Sequence, residues 1–137
     1  MSLGTILENS LNKKQKFVCS NHKGLLKIVD KTAFTLLDQT NTGANGLESL
    51  YYAPDPNYKS TRPNSLIQDK EGNIWMTNAY VNKALKVLRS NGSWQSYDLS
   101  SLIQDATNER YGNLEIDKNG TKWMATFLNG VVAFNEK

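Results

Sequence analysis

A single cysteine and a single histidine are scarce resources in a chain of 137 residues, and each shortage closes off a class of chemistry. Cys19 alone cannot form an internal disulfide, so the redox compartment is not written in the cysteines. It sits in the apolar run Phe17-Val18-Cys19, where a thiol reads as buried and inert. His22 follows three residues later, in what should be a loop, so the two do not read as a nucleophile–base pair. No second cysteine or histidine is available to complete a zinc site. No apolar run approaches the roughly 20 residues of a membrane helix. No glycine-rich phosphate loop is present. The acidic turns Asp69–Gly72 and Asp117–Gly120 are not EF-hand loops, because glycine comes fourth and Leu128 stands twelfth from Asp117. No catalytic residue, metal or cofactor is therefore expected. Met1-Ser2-Leu3 shows no secretory leader and reads as an expression scar.

Charge is equally uninformative of a partner. The net charge is +3 and the pI about 8.9, with lysines scattered along the chain. The one cluster, Lys13–Lys16, falls at a turn and reads as solvated, so nucleic acid is not an expected partner. Composition is 39% hydrophobic and 21% charged, that of a soluble globular unit of one domain.

What is present is a repeat. Residues 69–76, DKEGNIWM, return 48 positions later as DKNGTKWM, five of eight residues coinciding. Around the first copy, 65–98 reads as four short strands, Leu66–Gln68, Asn73–Thr77, Ala84–Leu88 and Ser93–Tyr97, with a turn between each pair. Asn91-Gly92 predicts a type I′ hairpin, since both central residues of that turn need positive φ. Both this pair and Asn119-Gly120 begin a glycosylation sequon, but hairpin chemistry accounts for them. Asp69 and Asp117 are expected to cap their own turns by accepting backbone N–H groups. A third, diverged copy precedes these. Phe17–Asn21 aligns with Ile74–Asn78, Leu25–Val29 with Ala84–Leu88, and Ala33–Asp38 with Ser93–Asp98. In this alignment Val18 stands for Trp75 and Phe34 for Trp94. Between copies, 38–63 reads as a long loop with one helical turn at Leu47–Tyr52, and 99–111 as a connector with a short helix capped by Ser100-Ser101.

A lone four-stranded meander cannot bury both faces and needs neighbours stacked on it. Repeats of this length with a periodic tryptophan predict an all-β fold of about three four-stranded antiparallel meander blades, part of a β-propeller, the last blade incomplete. The blades are expected at 5–38, 64–98 and 112–137 of a single propeller fragment, with the first strand of each toward the axis. Val18, Phe34, Trp75, Trp94 and Trp123 are the expected packing residues between blades.

The run Asp-x-x-Gly-Asn-Ile-Trp-Met, the strand carrying Lys86-Val87 and the segment Gly92–Tyr97 together resemble the two-component-regulator propeller repeat. Residues 65–98 match it well, 113–135 through three strands, and 5–38 weakly. It departs from the family pattern at Thr77-Asn78 and Ala125-Thr126, where Gly-Thr is usual, and at Lys83-Ala84-Leu85, where Gly-Gly-Leu is usual. Such repeats build periplasmic sensor regions of Bacteroidetes hybrid histidine kinases and a related propeller of the type IX secretion machinery. The resemblance implies a periplasmic or cell-surface location and a propeller longer than these three copies.

With no acid–base or metal group in view, the remaining candidate is a binding face. Loops between second and third strands should share one end, which groups Asn21, His22, Asn78, Tyr80, Asn82 and Asn129 with the Tyr51–Pro63 loop. Asparagine and tyrosine there suit a glycan or protein ligand, and solvated turns are the plainer alternative. Three functional readings follow. They are the sensory module of a hybrid two-component system whose kinase lies outside this segment, a scaffold of the type IX secretion machinery, and an enzyme whose site is completed elsewhere. No membrane contact is expected of this segment, and exposed blade faces predict a homodimer that covers them.

Overall fold

The computed structural model describes residues 3–136, so the reading of Met1-Ser2 as a scar, and Lys137, lie outside the described residues. Eleven strands among the described residues form three separate antiparallel meanders. The first holds β1 (Leu3–Glu8), β2 (Gln15–Ser20), β3 (Gly24–Val29) and β4 (Ala33–Leu37). The second holds β5 (Pro63–Gln68), β6 (Ile74–Asn78), β7 (Leu85–Leu88) and β8 (Trp94–Tyr97). The third, among the described residues, holds β9 (Tyr111–Ile116), β10 (Lys122–Thr126) and β11 (Val131–Phe134). No helix among the described residues is long and apolar enough to cross a membrane.

Local chemistry makes the hairpins. In the β5–β6 turn Gly72 N–H donates to Asp69 O at 3.1 Å, and Gly72 takes φ of 85°. The Asp69 carboxylate accepts from the Glu71 and Asn73 amides, the Asn73 side chain and, at 2.8 Å, the Trp75 indole. Asp117 repeats this with the Asn119 and Thr121 amides and the Trp123 indole at 3.0 Å. Burial pushes the Asp69 carboxyl up, but the indole and amide donors outweigh it and hold it below the usual carboxylate range. The β7–β8 turn uses the same backbone, Gly92 N–H donating to Arg89 O at 2.9 Å. Only Gly92 is left-handed there, at φ 90°, so the turn is a type I turn closed by a glycine bulge and not the expected type I′. The pair with two positive φ values is Asp30-Lys31, between β3 and β4.

The sheets stack face to side, with the first strands β1, β5 and β9 adjacent. Each first strand slips register once, beside Gly4-Thr5, Ser65-Leu66 and Gly112-Asn113. The bulges aim polar groups at the neighbouring sheet. Ser65 Oγ accepts from Leu114 N–H at 2.8 Å, and Asn64 Nδ2 donates to Tyr111 O at 3.0 Å.

Two apolar seams result. The first joins Phe17, Cys19 and Leu25 to Leu66, Ile74 and Met76, with Leu47 wedged in from the connector. The second joins Trp75, Leu85 and Val87 to Leu114, Met124 and Val132, closed by Leu99, Ile103 and Ala106. Trp75 stacks on Tyr97 at 5.9 Å, and Tyr97 meets Phe134 at 4.5 Å.

This packing corrects the alignment of the first copy. Phe17, not Val18, occupies the Trp75 position, facing the next sheet at 1% exposure, and Leu25 matches Leu85. A slip of one residue in a strand moves every side chain to the other face. Val18 is buried at the opposite face of β2. Trp94 is half-buried against the first seam. Phe34 and Trp123, expected between blades, are 63% and 45% exposed because they sit on the two outermost faces of the stack. The connectors also differ from expectation. Residues 47–52 form no helical turn, and Ser49 instead bridges to Thr61. In the second connector Asp98, not Ser100, accepts the turn's N–H, and the one 3₁₀ turn is Ala106–Asn108.

Candidate functional site

The loops do not gather all six expected residues. Asn78 is fully buried, its amide clamping the connector by accepting from Glu48 N–H at 2.8 Å and donating to Glu48 O at 3.1 Å. Asn129 grips the second connector, donating to the Glu109 carboxylate at 2.7 Å and pairing with the Gln104 backbone in both directions. Asn82 is exposed and apart, its carbonyl accepting from Leu99 N–H. Asn78 ends β6 and Asn129 follows β10, and the side chains of these two hold the connectors.

Asn21, His22 and Tyr80 do come together. They line a cavity of about 280 Å³ at the start of the inner strands, with Arg62, Asn64, Thr77, Arg110 and Tyr111. The Tyr51–Pro63 loop reaches it only through Arg62 and Pro63. The His22 turn is tied to that loop by Thr61 N–H and Ser60 Oγ, both donating to His22 O. Arg62 Nε donates to Ser60 Oγ at 2.9 Å, and its guanidinium lies 5.2 Å above the Tyr80 ring. Arg110 lies 4.2 Å above the Phe127 ring. Stacking on an aromatic face holds a guanidinium's plane without consuming its donors.

Arg62 and Arg110 went unnoticed in the sequence, yet they are 48 residues apart, the period of the repeat. The backbone repeats too. Ala79 N–H donates to Arg62 O and Phe127 N–H to Arg110 O. The period was the signal that could have found them.

The lining carries two arginines and a histidine and no carboxylate. The nearby Glu109 is enclosed, and its oxygens accept from the Arg110, Phe127 and Leu128 amides and from Asn129. Burial pushes this carboxyl up, and those donors more than reverse it, so it stays ionised with its lone pairs occupied. A larger cavity of about 630 Å³ lies between the Asp69 and Asp117 turns, and its lining mixes cations with the carboxylates of Asp69, Glu71, Asp117 and Glu136. There Glu136 accepts from Arg89 at 2.6 Å and from Tyr97 Oη at 2.7 Å, and burial with that carboxylate pushes the phenol up to about 12. The 280 Å³ cavity differs from it in having no carboxylate in its lining. His22 lines it with no cysteine or carboxylate among the other lining residues. Cys19 is buried, and burial pushes its thiol up to about 12, far from a reactive thiolate. No group of three metal-ligating side chains occurs among the described residues.

Radially adjacent four-stranded meanders with their first strands inward, joined by aromatic seams, define a segment of a β-propeller. Comparison with the solved structure of PorZ agrees. PorZ, described as an essential bacterial surface component of the type-IX secretion system of Porphyromonas gingivalis, matches with a TM-score of 0.72 and 21% identity, over 99% of this chain and 17% of that one. The extracellular domain of a putative hybrid two component system from B. thetaiotaomicron matches with a TM-score of 0.40 and 17% identity, over 98% of this chain and 20% of that one. The chain thus spans a fifth or less of either structure's length. No family model and no curated protein matches it.

Proposed function

We propose that this chain is a non-catalytic recognition module of an extracytoplasmic propeller, binding a polar, negatively charged saccharide at the Arg62–Arg110 cavity. The observation that carries this reading is the pair of aromatic-stacked guanidiniums converging with His22 and Tyr80 where no lining carboxylate opposes them. Arginine presents a fork of donors to carboxylate or sulfate. The role suited to such a module is ligand sensing for a hybrid two-component system, as the repeat resemblance implies. A second reading, a docking scaffold in the type IX secretion machinery, is supported by the propeller fold shared with PorZ. Titration calorimetry with neutral and uronate-containing oligosaccharides tests the ligand. Preference for the acidic series, lost in Arg62→Ala and Arg110→Ala, is expected. Equal binding of both series by all three proteins would remove the assignment. A membrane helix and kinase domain downstream in the reading frame would select the sensor role over the scaffold.

A further inference from the structure

The two outermost faces of the stack carry, in register, the positions that form the two sides of a buried seam. The third sheet turns away from its neighbour a face carrying Trp123 and Val131, 45% and 68% exposed. In register these are the positions of Trp75 and Leu85, both fully buried where the third sheet covers the second. The first sheet turns outward Ile6 and Phe34, 68% and 63% exposed. These are the positions of Leu114, buried in the second seam, and of Trp94, packed against the first. One face therefore has the register of an indole-bearing side, and the other that of the side an indole receives.

Charge makes the match specific. In the second seam Lys122, the residue before Trp123, places its ammonium 3.9 Å from the centre of the Trp75 ring and 3.8 Å from Glu136. Lys16 precedes Phe17 in the same register position on the outward face of the first sheet, and its ammonium lies 3.3 Å from Glu8. A lysine with a carboxylate beside it thus waits on one face, and an uncovered indole on the other.

We propose that a second copy of this chain stacks head to tail on the first, the Trp123 face of one against the Phe34 face of its partner, with Lys16 over the Trp123 ring. The contact is heterologous, so two copies repeating it twice close into a ring of six sheets, within the range propellers adopt.

Light scattering coupled to gel filtration tests this on the 137-residue chain across micromolar to millimolar concentration. A dimer is expected, with Phe34→Asp and Trp123→Asp each monomeric. Mixing those two variants is expected to restore a complex, because one retains the indole face and the other the receiving face. Lys16→Met is expected to weaken dimerisation by about 5- to 900-fold, the loss of two cation–aromatic contacts, each of about 2- to 30-fold. Far-ultraviolet dichroism and buried Trp75 emission confirm that each variant is folded. A monomer at every concentration would overturn the proposal and leave these faces to further sheets of a longer chain. A Phe34→Asp variant that still dimerises would overturn the head-to-tail geometry in favour of like faces pairing.

Discussion

Trp75 and Trp123 share an octapeptide, an indole–aspartate hydrogen bond and a strand position, yet one is wholly buried and the other 45% exposed. The turn chemistry is local and forms in both copies. Trp75 is covered by Tyr97 of its own sheet, stacked on it, and by Phe134 of the next sheet, whereas no described sheet lies over Trp123. The comparison separates what a repeat encodes in itself from what it borrows. Its sharpest break is truncation of each indole. Trp75→Ala should destabilise the chain by about 3–5 kcal/mol, the range for a fully buried large aromatic. Trp123→Ala should cost under about 1 kcal/mol at concentrations too low for association. Urea unfolding midpoints of the two variants check this, and equal losses would mean that the third sheet's outer face is already covered.

The aspartates sharpen the same contrast at lower amplitude. Asp69→Asn keeps the shape but removes the charge that gathers four donors, and should cost about 1.5–3 kcal/mol. The Asp69 carboxyl is held below its ordinary value, so the folded state binds its proton more weakly than the unfolded state. Its contribution is complete above about pH 4 and is lost as pH falls through the lowered native value. Stability measured from pH 6 down to 2 should fall less steeply in Asp69→Asn than in the parent. Asp117→Asn, on the exposed copy, should move the acid limb less than Asp69→Asn does.

Lys122 tests whether the Trp75 seam needs its cation. Lys122→Met preserves the apolar stem and removes the ammonium over the indole. A loss of about 0.5–2 kcal/mol is expected by thermal unfolding, with changed Trp75 fluorescence.

The fold was legible where the chemistry is local or periodic. The octapeptide marked two hairpins and their aspartate caps, and turn signals between short apolar runs marked the strands. The first copy defeated register because it lacks tryptophan, so Phe17-Val18-Cys19 offered no anchor, and three consecutive apolar residues fit either face. The Asn91-Gly92 pair named a hairpin but not its type, since one extra residue lets a glycine bulge replace two left-handed positions. The connectors were illegible for a different reason. Leu47, Leu99 and Ile103 are buried by sheets far from them in sequence, with no periodicity to reveal it. The cavity was half legible. His22 and Tyr80 were reachable from loop position, whereas Arg62 and Arg110 stand just before strands and are linked in the sequence only by the 48-residue period.

The smallest expected effect concerns the other seam. Lys86 is fully buried on the face toward the first sheet, its ammonium paired with Glu48 and donating to Ser96 Oγ at 2.9 Å. Burial pulls this lysine below its ordinary range, and the Glu48 carboxylate only partly restores it. Removing an ion from water largely cancels what its partner returns. In Lys86→Met the Glu48 carboxylate, 38% exposed, can rehydrate, while Ser96 Oγ keeps its bond to Asn45 O at 2.7 Å. Thermal unfolding should therefore shift by less than about 1 kcal/mol in either direction. The pH dependence is the finer readout. Because the folded state holds the Lys86 proton more weakly than the unfolded state, parent stability should gain a rising component in the alkaline range between those two values. Lys86→Met should lack that component, and an alkaline limb identical in both proteins would mean that Glu48 fully offsets the burial.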